Sequence, residues 1–354
     1  MVPKFKGNSE DWLDNEEESE NASRSTGARA TQAKKAARQD RAKILPFEES
    51  NAVVAEVFPN QCRVRMIGTG PASDLLCSYR RANVIKSGSA VRERSPVAVG
   101  DRVKVERIGS ASGIVDAVCE RRNYLSRPAP GRENTKIQHV IAANVDELAI
   151  VVSVKEPDFS PGLVDRYLVA AAFARIEPVI CLTKLDLLLE GAPRPADLYR
   201  KLGYTVFEVS AKLDWGLDAL RKRFENKTVV FSGPSGVGKT SLLRKLLGSE
   251  VGRVGEVSAA TGKGRHTTTG AVLLGGPSEL TGQLTGCIDT PGVREFGLGE
   301  IPPADLASLF VEFRNLSCDQ QGCLHLDEEG CAARDLERYP SYRRILESLL
   351  AGEN

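Results

Sequence analysis

Between Gly233 and Thr240 the chain reads Gly233-Pro234-Ser235-Gly236-Val237-Gly238-Lys239-Thr240, followed by Ser241. A β-branched and aromatic run, Val229-Val230-Phe231, precedes it and a helix-forming run follows. This is the G-x-x-x-x-G-K-[ST] pattern in a strand–turn–helix setting. Glycines at this spacing let consecutive main-chain N–H groups turn inward around phosphate oxygens, and a helix N-terminus adds positive potential. Lys239 is placed to reach β- and γ-phosphates, and the Thr240 hydroxyl to meet Mg²⁺. The chemistry is that of a nucleoside triphosphate site.

Two upstream segments read as base-recognition loops. A strand over 178–182 runs into Thr183-Lys184-Leu185-Asp186, and one over 205–209 into Ser210-Ala211-Lys212. A carboxylate such as Asp186 can accept from both N1–H and N2–H₂ of guanine, whereas adenine has no donors there and would leave it unpaired. The lysine stem can lie over the base, and the amides of 210–212 can donate to O6. Downstream, Thr261 to Thr269 is rich in glycine, hydroxyls and basic groups, as suits a loop closing over a γ-phosphate. One of Thr267 and Thr268 would join the Mg²⁺ shell, with Thr268 the candidate. Asp289-Thr290-Pro291-Gly292 then offers Asp289 to Mg²⁺ and the Gly292 amide to the γ-phosphate. Val293 is apolar and cannot orient a water, so His266 is the candidate for that catalytic role.

A third constellation is Cys318-x₄-Cys323-x-His325-x₅-Cys331, three thiols and an imidazole within 14 positions. This is a closed donor set suited to one structural Zn²⁺. The other five cysteines lie among apolar neighbours, which fits a reducing cytoplasm better than a disulfide framework.

These loops need scaffolds. At 354 residues, with 41% hydrophobic side chains, the chain has material for two or three domains, and its net charge of +1 says nothing about partners. No apolar run approaches the roughly 18–20 residues of a membrane span, and the acidic start does not read as a secretory signal. Residues 1–48 carry an acidic block (Glu10 to Glu20) and then a basic one (Arg24 to Lys43), with too little apolar surface to fold, so a disordered charged tail is expected. Residues 49–125 alternate in short strands with turn signals, the pattern of a five-stranded OB-fold barrel. Twelve basic against six acidic side chains between 61 and 125 leave a local excess of six, which favours nucleic acid. Residues 126–146 read as a linker, because Arg127-Pro128-Ala129-Pro130-Gly131 breaks regular structure. Residues 147–300 alternate strand and helix as a doubly wound parallel sheet with helices on both faces. Residues 301–354 read as a helical zinc-binding domain, with helices over Pro303–Arg314 and Ala332–Leu350.

The motif order is unusual. The base-reading loops precede the phosphate loop and Asp289–Gly292 comes last, as if natural termini had been joined and a new break opened. With Arg122-Asn123-Tyr124-Leu125-Ser126-Arg127-Pro128, Ala143-Asn144-Val145-Asp146, Phe159 to Tyr167, Gly264 to Thr269, Asp289 to Phe296 and the Cys/Cys/His/Cys set, residues 50–350 closely resemble the RsgA family (also called YjeQ or YloQ). These are circularly permuted GTPases of bacterial small ribosomal subunit maturation. The resemblance implies an N-terminal OB domain, a permuted GTPase, a C-terminal zinc domain, and GTP hydrolysis stimulated by the 30S subunit. It implies 16S rRNA as partner, GTP and GDP with Mg²⁺ as ligands, a cytoplasmic monomer and no membrane. One departure stands out: Thr183 occupies a position where the family usually has Asn. The rival reading is an RNA-binding scaffold whose guanine-nucleotide site is a sensor with little hydrolysis. A metabolic kinase is disfavoured by the guanine-reading loops.

Overall fold

The computed structural model describes residues 44–67, 74–79, 92–93, 96–128, 137–247, 271–274, 286–290, 296–298, 301–316, 322–326, 328 and 330–352. Its first strands are β1 (Ala52–Phe58), β2 (Gln61–Met66), β3 (Asp74–Tyr79), β4 (Arg92–Glu93), β5 (Arg102–Arg107) and β6 (Ser112–Val118). All but β4 form a barrel in the order β1-β2-β3-β6-β5, closed by pairing of β5 back on β1 at Ala52–Val103. Strand β3 runs parallel to β6, and the other barrel pairs are antiparallel. Alternate residues point inward, as period-two strands require, so Ala52, Val54, Cys62, Val64, Leu75, Cys77, Val103 and Val115 fill the interior.

Strands β7 (Tyr124–Pro128) and β8 (Ile137–Ala143) follow and form a small sheet with β4. The expectation of an irregular linker over 126–146 is corrected by this hairpin. Pro128 is the last residue of its strand, where a missing N–H is tolerated. The run Val140-Ile141-Ala142-Ala143 supplies a strand with a buried end.

The parallel sheet begins at β9 (Glu147–Ser153), whose residues are all buried, and continues through α1 (Pro161–Ala174), β10 (Glu177–Thr183), α2 (Asp197–Lys201), β11 (Thr205–Glu208) and α3 (Leu217–Phe224). It then takes in β12 (Thr228–Ser232), α4 (Lys239–Leu247), β13 (Val272–Leu274) and β14 (Gly286–Asp289). The order β11-β10-β9-β12-β14 is parallel throughout, with β13 antiparallel at its end. Leu148, Ile150, Val152 and Ile180 face α1 and the C-terminal segment. Ala149, Val151, Val179 and Phe231 face α3 and α4. A strand covered on both sides must be apolar at every position, which is why Leu148 to Val152 reads as one unbroken run. Val272 of β13 pairs with Glu56 of β1, so the barrel and the parallel sheet form one eleven-stranded hydrogen-bonded surface.

Three further expectations change. Residues 1–43 of the charged tail lie outside the described residues, but 44–48 pack on the barrel: Leu45 bridges Cys119, and the Phe47 ring lies 4.8 Å from the Arg102 guanidinium and 5.0 Å from that of Arg122. The helix expected over Pro303–Arg314 is two 3₁₀ segments, Pro303–Leu309 and Val311–Asn315. Phe310 between them is extended, burying its ring against Phe313 and Tyr342. The helix expected over Ala332–Leu350 is a 3₁₀ turn, Ala332–Asp335, followed by α5 (Tyr339–Leu350). Pro340 sits in the first turn of α5, where a residue without an N–H starts a helix but cannot continue one. Among the described residues, no helix is long and apolar enough to cross a membrane.

The barrel holds a buried ion pair. Asp101 is fully buried, accepts from Ala98 N at 2.7 Å, and takes a two-point contact from Arg121 at 2.6 and 2.8 Å. Removing the cation alone leaves a buried carboxylate with too few donors. Arg121→Leu is therefore expected to lower the unfolding free energy by about 3–5 kcal/mol, read from the urea midpoint of the full chain. A change below about 1 kcal/mol would show the pair to be dispensable.

Candidate functional site

The carboxyl ends of β10, β12 and β14 and the loop after β11 lie along one edge of the sheet, because all four strands run the same way. Each carries one of the motifs. Gly233 leaves β12 with φ +153°, and a Cβ there would fall 2.0 Å from Val151 O. Only glycine permits that approach, which starts the phosphate loop directly over the neighbouring strand β9. Gly236 and Gly238 follow at φ +82° and +92°. Val237 is buried, whereas Ser235, Thr240 and Ser241 are exposed. The Lys239 ammonium folds back over the loop, donating to Gly233 O at 2.5 Å and Pro234 O at 2.8 Å.

Asp289 ends β14, in register with Phe231 of β12. Burial pushes its carboxyl above the usual carboxylate range, with Lys239 pulling it back. Burial in turn pushes the Lys239 amine below its ordinary value, with Asp289 opposing. The two opposite charges therefore feel one another across the phosphate end. Thr290 Oγ1 ties the start of the next loop to Phe231 O at 3.1 Å.

The base-reading loops meet at the other end. Ser210 Oγ donates to Asp186 Oδ1 at 2.6 Å and accepts from Leu213 N at 3.2 Å. Lys212 Nζ lies 3.8 Å from Asp186 Oδ2. The Ser210 hydrogen bond is the main reason the Asp186 carboxyl is held below its ordinary value, with Lys212 and Lys184 adding to it. Ser210 and Trp215 exchange backbone hydrogen bonds, which close the second loop. Lys184, at φ +55°, donates from Nζ to Glu156 O, and Leu185 opens a 3₁₀ turn that presents Asp186.

Thr183 joins the two ends. Thr183 Oγ1 lies 2.5 Å from Val237 O of the phosphate loop and 3.1 Å from Val152 O, with the residue 4% exposed. A pocket of about 430 Å³ is lined by Ala211 and Lys212 of the second loop and by Ser241, Arg244 and Lys245 of α4. Sequence reasoning missed the turn after β9. Ser153 Oγ donates to Pro157 O at 2.7 Å, and Pro157 Cδ lies 3.8 Å from where a Cβ on Gly236 would stand.

His266, Thr267, Thr268 and Gly292 lie outside the described residues, as does Cys318. Of the metal set, the ligand atoms of Cys323, His325 and Cys331 lie within 4.8 Å of one another. His325 Nδ1 is 3.5 Å from Cys323 Sγ and 3.3 Å from Cys331 Sγ. Ideal Zn–S and Zn–N bonds at tetrahedral angles put sulfur and nitrogen about 3.5 Å apart, so the three donors fit the ion. Tyr339 Oη donates to His325 O and Tyr342 Oη to Leu324 O, which hook this loop onto α5. Helix α5 is preceded by Arg338, whose buried guanidinium reaches Asp165 of α1 at 2.8 Å and Glu312 at 3.0 Å.

Comparison with known proteins follows the same outline. The RsgA GTPase family model matches residues 118–299. The small ribosomal subunit biogenesis GTPase RsgA of Shewanella oneidensis is 39% identical over 283 residues, covering 76% of this chain and 77% of its own. Its namesake in Pseudomonas aeruginosa is 40% identical over 264 residues, covering 71% and 75%. Among solved structures, YjeQ from Thermotoga maritima superposes with a TM-score of 0.61 at 28% identity, covering 85% of this chain and 98% of its own. YloQ, described as a circularly permuted GTPase, gives 0.60 at 25% identity, covering 85% and 94%.

Asp186 carries a direct test. An asparagine there keeps one acceptor but turns an N–H₂ toward the guanine N2–H₂, whereas xanthine offers an oxygen at that position. Asp186→Asn is expected to lose guanine nucleotides by about tenfold or more and to gain xanthosine diphosphate, read by calorimetry. Because the Asp186 pKa is depressed, the ionised acceptor persists as pH falls into the usual carboxylate range near about 4. Guanine nucleotide affinity in the unaltered chain should thus change little through this group from pH 8 to pH 5. Unaltered base preference in the variant would contradict the assignment.

Proposed function

The chain belongs to the RsgA GTPase family, and on that premise we propose that it binds GTP and hydrolyses it as a maturation factor of the small ribosomal subunit. The observation that carries the reading is the contact of Thr183 with Val237, which joins the base-reading loop to the phosphate loop. Asp186 accepts from guanine N1–H and N2–H₂, and the amides of Ser210, Ala211 and Lys212 serve O6. Amides of the 233–241 loop and the Lys239 ammonium hold the phosphates. The hard oxygens of Thr240, Thr268 and Asp289 suit Mg²⁺, which neutralises charge on the triphosphate when bound. The Gly292 amide meets the γ-phosphate, and His266 orients the attacking water.

The barrel's strand order and its basic excess support an OB-fold contact with 16S rRNA on the 30S particle. The C-terminal segment from 301 to 354 is a helical unit organised by one structural zinc on Cys318, Cys323, His325 and Cys331. The protein works as a cytoplasmic monomer, and hydrolysis of GTP to GDP releases it from the particle. Without a strong water-positioning group of its own beyond His266, its intrinsic turnover is slow and the subunit completes the site.

GTP turnover measured with and without purified small subunits tests this reading. Stimulation by an order of magnitude or more is expected; none would favour an RNA-binding scaffold with a nucleotide sensor. His266→Ala should lower stimulated turnover about 100-fold while GDP affinity changes less than about twofold. Unchanged turnover would remove His266 from the mechanism.

A further inference from the structure

We propose that this chain leaves the purine N7 unread, so that guanine nucleotides altered at that atom alone bind as tightly as the parent. The inference rests on the guanine-nucleotide reading above. Guanine presents N1–H and N2–H₂ to Asp186 and O6 to the amides of 210–212. A further acceptor is N7, on the five-membered ring that carries the ribose; with phosphates held by the 233–241 loop, that ring would lie on the side of Thr183. The side chain spanning the base loop and the phosphate loop on that side is Thr183.

Thr183 has no proton to give N7. A hydroxyl carries one hydrogen and two lone pairs. Its oxygen lies 2.5 Å from Val237 O and 3.1 Å from Val152 O, both of which only accept, and the residue is 4% exposed. The proton is committed between these two carbonyls, and the lone pairs left over would meet N7 without attraction. A neighbouring hydroxyl is committed as well: Ser153 Oγ donates to Pro157 O at 2.7 Å. An asparagine at 183 would bring two amide protons, one for Val237 O and one for N7. Thr183 is thus a specificity-determining residue through what it withholds.

The experiment compares GDP with 7-deaza-GDP, in which a C–H replaces N7, by titration calorimetry on the full chain. In the unaltered protein the two affinities should agree within about twofold. Thr183→Asn should create a preference for GDP of about threefold to tenfold, and Thr183→Ser should keep the ratio near one. Thr183→Val, which loses the contact between the loops, should weaken both ligands by the same factor. A preference for GDP of fivefold or more in the unaltered protein would overturn the inference while leaving the guanine site standing. So would a Thr183→Val protein that loses GDP but keeps 7-deaza-GDP. Absence of any GDP binding would remove the guanine reading itself, and this inference with it.

Discussion

Strand β9 is the shared neighbour on which the site depends. It pairs with β10 on one side and β12 on the other, all three parallel. Two strand spacings separate the outer pair, about 10 Å, so the loop proposed to read the base and the loop proposed to hold the phosphates leave the sheet about a nucleoside's width apart. Gly233 sharpens the constraint, since its backbone passes over Val151 where no side chain fits. The Thr183 hydroxyl then closes the gap between the two loops. Burial of Lys239 and Asp289 at the phosphate end follows from the same geometry, and each carries a perturbed pKa that the other partly offsets.

The order of motifs along the chain has a mechanical consequence. The last strand of the sheet, β14, leads into the C-terminal segment rather than back into the sheet. Phe296, seven residues beyond Asp289, is buried edge-on against Tyr167 of α1, 5.5 Å between ring centres. Phe310, Phe313, Tyr342 and Leu346 join the same apolar cluster as Leu168 and Ile180. Arg338 adds a buried cation between Asp165 and Glu312, stacked 4.7 Å from the Phe310 ring. Residues 296–298, α1 and α5 therefore share one apolar cluster, which also takes in partly buried Cys331.

Much of this was legible in the residues. The phosphate loop, both base loops and the run of parallel strands are local patterns, and the alternation of strand and helix expected from residue 147 onward is found in β9 to α4. What escaped was set by tertiary context. The hairpin of β7 and β8 hid behind Pro128 and Pro130, whose local rule is to break strands. The helix across 332–350 looked continuous by composition, though Pro340 restarts it. Phe310 interrupts a helical pattern where its ring packs against Phe313 and Tyr342, partners that local sequence does not show. The Arg338–Asp165 pair spans 173 positions, and no spacing rule could have joined them.

The central claim is that two loops distant in sequence act as one nucleotide pocket. Amide hydrogen exchange of the full chain, with and without GDP, tests it most directly. GDP should slow exchange in 184–187 and 210–213 together with 233–241, at the same ligand concentration and to comparable extents. Protection of the phosphate loop alone, with the base loops exchanging as in the free protein, would contradict the account.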